Sequence, residues 1–550
     1  MKNNILNLMM LIGIVAIIFA CQGPKQDKQT EEKSEMQKLV DEYAEVELTA
    51  DLSGLSENQK LLISKLIDCA EIMDGLFWRQ AIGDKNEFLS KITDPVAKKF
   101  AVINYGPWDR LKEETPFIEG YEEKPQTANF YPHDITEEEF EALKDTNKNS
   151  EYTFLRRDEN GALKVVWYHE EYASEIEKAA KLLDEASELA EDDGFKNYLK
   201  LRATALRTSD YFASDLAWMD MKKNMIDFVV GPIETYEDGF RGIKASFNGQ
   251  ILLKDMEWTK KLEHFTEFLP KLQENLPVDA KYKQEKPGLG DLNVYNAIYY
   301  GGDCNSAGKN IAINLPNDPR VHLAKGSRKL QLKNVMQAKF ELILVPIANL
   351  LIDENQQKNI KFDDAFFQNV MFHEVAHGLG IKNTLKDKKA VRDVIGEYYS
   401  AIEEAKADLG GLFIITKLAE WGELKDKDLM DNYVTFLAGI FRSIRFGASE
   451  AHGQSNLIQF YYFREHGAFE FNEETGKYKV NFDKMKNAVA TLEGEILTIQ
   501  GNGDKAAAKA MVEKALTIDQ QLQASLDKVS DANIARDIIF KQGKEVLGIK

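Results

Sequence analysis

The chain has 550 residues, 44% of them hydrophobic and 10% aromatic, enough for a large core split between two lobes. Its formal net charge of -20, with no basic stripe to offset it, argues against nucleic acid as a partner. Three cysteines are too few for a disulfide framework, so Cys69 and Cys304 are expected as free thiols.

Residues 1–21 have the form of an export signal: Lys2, an apolar run from Ile5 to Phe19 broken by Asn7 and Gly13, then Ala20-Cys21. A small residue before a cysteine that opens a polar segment resembles a bacterial lipoprotein signal, although Phe19 departs from the small residue usual there. That resemblance implies acylation of Cys21 and attachment to an envelope membrane, on the periplasmic side or at the cell surface. Plain secretion or an uncleaved anchor is the alternative, the run being short for a span. Residues 22–45 are expected as a flexible tether.

From residue 37 to 224 apolar residues recur at three- and four-residue spacing, which predicts helices over 61–73, 174–190 and 198–219. Between them 105–170 is irregular, punctuated by Pro107, Pro116, Pro125 and Pro132, with a strand at 163–168. Around Asp227 the texture becomes strand-like, at 228–230, 242–253, 292–300, 310–315 and 340–346. These strands would form the floor of a cleft.

The roof is predicted from Met371-Phe372-His373-Glu374-Val375-Ala376-His377. Asp363 or Asp364 can cap a helix here, Phe366, Phe367, Val370, Met371 and Val375 give it a buried face, and Gly378 and Gly380 end it. On that helix His373 and His377 share a face and can reach one ion. Glu374 is turned away from the pair, where a base can take a proton from the attacking water without occupying a coordination position. Catalytic zinc takes three protein ligands and keeps a fourth position open.

Glu403-Glu404-Ala405-Lys406-Ala407-Asp408, within a helical run expected over 391–409, supplies the third ligand as Glu404. Asp408, one turn on, can hold a ligating imidazole by its other N–H. A polar loop at 381–389 lets the two helices fold back on each other. Further apolar helices are expected at 412–421 and 429–446, with 457–463 as core, then 488–499, 503–516 and a closing helical region at 518–546.

The predicted fold is therefore α+β and mainly helical, in two lobes with a cleft. A mixed peptide-binding lobe containing a sheet or barrel spans 46–350, and a helical zinc-binding lobe spans 351–550, its C-terminal part free to return to the first lobe.

Several segments, taken in order, resemble the dipeptidyl peptidase III family of zinc exopeptidases. Gly231-Pro232-Ile233-Glu234-Thr235-Tyr236 is similar to its Glu-x-Tyr segment, and Asn310-Ile311-Ala312-Ile313-Asn314-Leu315-Pro316-Asn317 to its Asn-Ile-Pro-Asn strand. Glu403 to Asp408 resembles its Glu-Glu-x-x-Ala-Glu/Asp motif, and Glu450-Ala451-His452-Gly453 its later histidine segment. The resemblance implies one zinc ion on His373, His377 and Glu404, Glu374 as general base, and Glu403 and Asp408 as supporting partners. It further implies that Tyr236 and His452 steady the tetrahedral intermediate. Glu234, Asn314 and Asn317 would hold an oligopeptide by its N-terminal ammonium and backbone.

Two positions depart from the family pattern. Three residues rather than four separate the histidines, and Asn456 stands where an arginine is frequent. The expected activity is zinc-dependent release of dipeptides from oligopeptide N-termini. The alternative, raised by Asn456, is an exported peptide-binding lipoprotein that keeps the fold with weak or no turnover.

Overall fold

The computed structural model describes residues 33–288, 291–447 and 450–550. The expected signal at 1–21, with Cys21, and the first part of the tether lie outside the described residues.

The second part of that tether is folded, a correction to the expected span of 22–45. Ser34 accepts from Gln37 N to cap a helix, Glu35–Asp41, and strand β1 (Tyr43–Glu47) follows it. Val40 and Tyr43 are buried with Phe100 and Ile103. Burial of these two apolar side chains helps to draw this polar segment onto the folded body.

Helix α1 (Glu57–Ala81) opens with a Ser56–Gln59 capping box and buries Leu62, Ile63, Leu66, Ile67, Ala70 and Met73. Helix α2 (Ala173–Leu189) packs beside it, and α3 (Asp193–Thr208) packs on α2. The expected helix over 198–219 is broken after Thr208, where Ser209 adopts left-handed φ 57° before a second helix, Phe212–Asp220.

The sheet comprises β2 (Ile226–Glu234), β3 (Ser246–Lys254), β4 (Asp291–Gly302), β5 (Ala312–Leu315) and β6 (Arg328–Leu332). Their order is β2-β3-β4-β6-β5, antiparallel except where β4 meets β6. Every residue of β3 is buried, so the alternation at 242–253 does not mark a wet face. Strand β5 is an edge, paired on one side only, with β6.

The strand expected at 340–346 is helical. A helix from Lys333 to Lys339 passes through a π turn, Phe340–Leu344, into a further helix, Val345–Leu351. Phe340, Ile343, Leu344, Ile347 and Leu351 are all buried, at helical spacing. A mostly apolar run of seven residues is too short for its period to tell strand from helix.

The helical lobe is built from α4 (Phe367–Ala376), α5 (Tyr399–Glu420), α6 (Leu429–Ile444), α7 (Ala451–Glu465) and α8 (Phe482–Asn502). The two cores interleave along the chain rather than meeting near residue 350. Trp258, Leu262, Leu269 and Leu272 join the helical core, as do Met336 and most buried residues after it. The closing region is not all helix: after Gln520–Asp531 the chain forms β7 (Asp537–Lys541), parallel to β1. Ile538 in β7 is fully buried in the sheet lobe's core, and the β-branched pair Ile538-Ile539 favours strand. The fold is thus α+β, mainly helical and two-lobed. No helix among the described residues is long and apolar enough to cross a membrane.

Candidate metal centre

Helix α4 does not start on a side-chain cap. Asp363 and Asp364 lie inside a π turn, Phe362–Phe366, that runs straight into α4, and Asp363 pairs instead with Lys333 at 2.9 Å. Phe367, Met371, Phe372 and Val375 bury one face of α4, and Gly380, with φ +85°, turns the chain after it. The run expected as one helix over 391–409 breaks at Gly396, where φ is +65°, leaving a short helix, Val391–Ile395, before α5.

Helices α4 and α5 touch backbone to backbone because α5 carries Gly410-Gly411 at the crossing. A Cβ on Gly411 would stand 2.8 Å from His373 N, and one on Gly410 2.8 Å from Ala376 Cβ. That approach brings Glu403, Glu404 and Asp408 to the two histidines.

His373 Nε2 and His377 Nε2 are 3.2 Å apart, and Glu404 Oε2 lies 3.3 and 3.8 Å from them. Ligand atoms about 2.0–2.1 Å from a tetrahedral zinc ion stand roughly 3.3–3.4 Å from one another, so this triangle is the size a divalent ion needs. Glu404 Oε2 is buried and makes no hydrogen bond. Burial opposes charge on His373, but Asp408 and Glu404 outweigh it and raise the imidazole to about 10. The pocket favours a positive charge at the centre of the triangle, and the residues fit a metal.

Each ring is oriented by a carboxylate on α5. His373 Nδ1 donates to Asp408 Oδ1 at 2.7 Å, and His377 Nδ1 to Glu403 Oε1 at 3.0 Å. These bonds fix the tautomers that turn Nε2 toward the metal position. The carboxylates are held in turn. Asn456 Nδ2 and Gln459 Nε2 donate to Asp408 Oδ2 at 3.1 and 3.0 Å, while Lys406 Nζ and Gln500 Nε2 donate to Glu403 at 2.7 and 2.8 Å. Burial works against the charged form of Glu403, yet Lys406 and His377 hold it at about 2.

A profile of Peptidase family M49 matches residues 143–390, a span that includes both histidines. The solved structure of DPP III from Caldithrix abyssi is 37% identical, with TM-score 0.87, over 93% of this chain and all of that one. Dipeptidyl-peptidase III from Corallococcus sp. strain EGB is 36% identical, with TM-score 0.74, over 92% of this chain and 96% of that one. The chain belongs to peptidase family M49, the dipeptidyl peptidase III family. A curated relative in Arabidopsis thaliana, called Nudix hydrolase 3, is 34% identical over 92% of this chain and 73% of its own length. This M49 chain is a metallopeptidase.

The remaining expected site residues fall into two groups. His452 opens α7 at the rim of the metal triangle, with Nδ1 3.4 Å from Glu404 Oε2. Glu374 borders the triangle from α4 without joining it. The others belong to the sheet lobe. Glu234 ends β2, and Asn317 Nδ2 donates to Ile233 O at 3.0 Å and to Glu234 Oε2 at 3.3 Å. Glu234, Tyr236 and Asn317 line one cleft of about 460 Å³. Tyr236 is 85% exposed there. Burial raises the Glu234 carboxyl, with Asn317 opposing.

Asn456 does not face a substrate. It is buried in α7 and supports Asp408, a role an arginine's length and charge would not reproduce in the same space. Sequence reasoning missed Lys329, whose Nζ lies 2.6 Å from Glu374 Oε2. It also missed Gln459 and Gln500. Lys329 carries no motif, and only the register of β6 against β5 brings it into view. Gln459 is three residues from Asn456, on the same helical face.

Proposed function

We propose that the chain is a zinc-dependent exopeptidase that releases dipeptides from the N-termini of oligopeptides. The observation that carries this reading is the placement of β5. Asn314 on β5 pairs in register with Lys329 on β6, the residue whose ammonium meets Glu374, and Asn317, just beyond the strand, holds Glu234. Opposed residues of an antiparallel pair point to one face, so Asn314 and the base lie on the same side of the sheet. The free edge of β5 therefore runs between an acidic cleft and the candidate base.

An oligopeptide added to that edge as a strand would place its ammonium at Glu234 and Asn317 and its backbone against Asn314. An extended peptide advances about 3.3 Å per residue, so a fixed ammonium anchor selects one peptide bond by length, here the second. His373, His377 and Glu404 would hold zinc, which when bound supplies Lewis acidity and water acidic enough to react near neutral pH. Glu374, outside the ligand set, takes the proton from the attacking water and passes it to the leaving amine. His452 and Tyr236 donate to the developing oxyanion.

The test is product analysis on free and N-acetylated oligopeptides with wild-type protein and Glu374→Ala. Dipeptides from free peptides only, with Glu374→Ala holding zinc but slower by about 10²–10⁴-fold, is the expected result. Equal cleavage of acetylated peptides would overturn the ammonium anchor. Zinc and peptide binding without chelator-sensitive cleavage would favour the peptide-binding alternative. Export with a lipid on Cys21 is part of the same proposal, supported by the residue pattern at 1–21. Palmitate incorporation that survives Cys21→Ala would remove it.

A further inference from the structure

No motif announces Lys329, and it belongs to the opposite lobe from the residue it holds. Its backbone is fixed on both sides, paired with Leu292 of β4 and Asn314 of β5. Its side chain leaves the sheet toward α4, and its ammonium meets Glu374 Oε2 at 2.6 Å. Both partners are largely shielded, at 24% and 18% side-chain exposure. A pair so placed restricts the carboxylate more than a surface pair does.

We propose that Lys329 is a positioning residue for Glu374, orienting the base from the same rigid sheet that receives the peptide. The inference rests on Glu374 acting as the general base. A glutamate has three side-chain torsions, and α4 fixes only where they begin. With Oε2 on the Lys329 ammonium, Oε1 is left to meet the water. Lys329 serves only to hold the base.

The arrangement has a consequence for coupling between the lobes. Adjacent strands lie about 4.8 Å apart, so a peptide on the free edge of β5 is two strands from Lys329 across a hydrogen-bonded ladder. Base and peptide are thereby referenced to one frame, although Glu374 itself belongs to the helical lobe. A misplacement of about 1 Å in such a frame is worth about 100-fold in rate.

The experiment uses zinc-loaded full-length protein and compares Lys329→Met, Lys329→Gln, Lys329→Arg, Glu374→Gln and the double variant Lys329→Met/Glu374→Gln. Zinc content, thermal unfolding, and kcat and KM on a free tetrapeptide are measured for each. Lys329→Met is expected to lose about 10–100-fold in kcat, with KM within about threefold, zinc retained and unfolding unshifted. Lys329→Gln is expected to lose less, and Lys329→Arg to recover most of kcat. In the Glu374→Gln background, Lys329→Met is expected to change nothing further, since the two act as a unit.

Unchanged kcat in both Lys329→Met and Lys329→Gln, beside an inactive Glu374→Gln, would overturn the role of Lys329 alone. So would a rise in KM at constant kcat, which would make Lys329 a substrate contact. A full additional loss in the double variant would likewise overturn it, because the two residues would then act independently. Full turnover by Glu374→Gln would overturn the base assignment itself, and this inference with it.

Discussion

Asp408 Oδ1 accepts from His373 Nδ1 at 2.7 Å while its other oxygen takes Asn456 and Gln459. The carboxylate is largely shielded, at 16% side-chain exposure, and it stays charged below the ordinary aspartate range because His373 and Gln459 outweigh the burial that opposes it. A candidate metal ligand is thus aimed by a carboxylate that is itself held from a third helix.

Asp408→Asn is therefore expected to weaken zinc binding by about 10–100-fold. An amide can still fill the space but leaves Nδ1–H of His373 with a poorer acceptor. Competition against a chromogenic chelator measures this. Asn456→Ala, which removes only one donor to Asp408, is expected to show a smaller loss.

Glu234→Gln separates anchoring from hydrolysis. A hydrogen bond to a charged group is worth about 1.5–3 kcal/mol, so loss of the carboxylate is expected to lower kcat/KM on free peptides by about 10–100-fold. Metal content is expected to stay at the wild-type level, because Glu234 is not in the metal triangle. Steady-state kinetics with paired metal analysis checks both statements.

Behind the centre, Glu493 on α8 is buried beside Lys406 and Glu403. Burial raises its carboxyl to about 8, with Lys406 opposing and Glu403 adding. Between its ordinary value of 4.5 and about 8 the folded chain keeps a proton that the unfolded chain releases. Its contribution to stability is whole below that window and falls as pH rises through it, by about 1.4 kcal/mol per unit at most. Glu493→Gln stays neutral throughout, so its urea midpoint is expected to fall less than wild type's between pH 5 and pH 8.

Much of the metal centre was legible in the sequence. His373 and His377 at helical spacing, with Glu404 and Asp408 one turn apart on a second helix, are local patterns, and local patterns survive without knowledge of the fold. Lys329 was not legible, because its meaning depends on strand register between segments forty-five residues from Glu374 in the chain. The same holds for β7, whose partner β1 lies at the other end of the described chain, with Tyr43 opposite Asp537. The apolar run at 340–346 misled for a different reason: seven residues are too short to show a period, and the helical spacing of the buried positions emerges only when Ile347 and Leu351 are included. Asn456 read as a lost substrate contact because its sequence position was visible and the inward direction of its side chain was not.

Metal content measured together with turnover tests the central claim most directly. Purified wild-type protein is expected to hold one zinc per chain by elemental mass spectrometry, to lose peptide hydrolysis on chelation and to regain it when zinc is restored. His377→Ala is expected to lose both metal and hydrolysis. Undiminished hydrolysis by metal-free protein, or full zinc content in His377→Ala, would contradict the account.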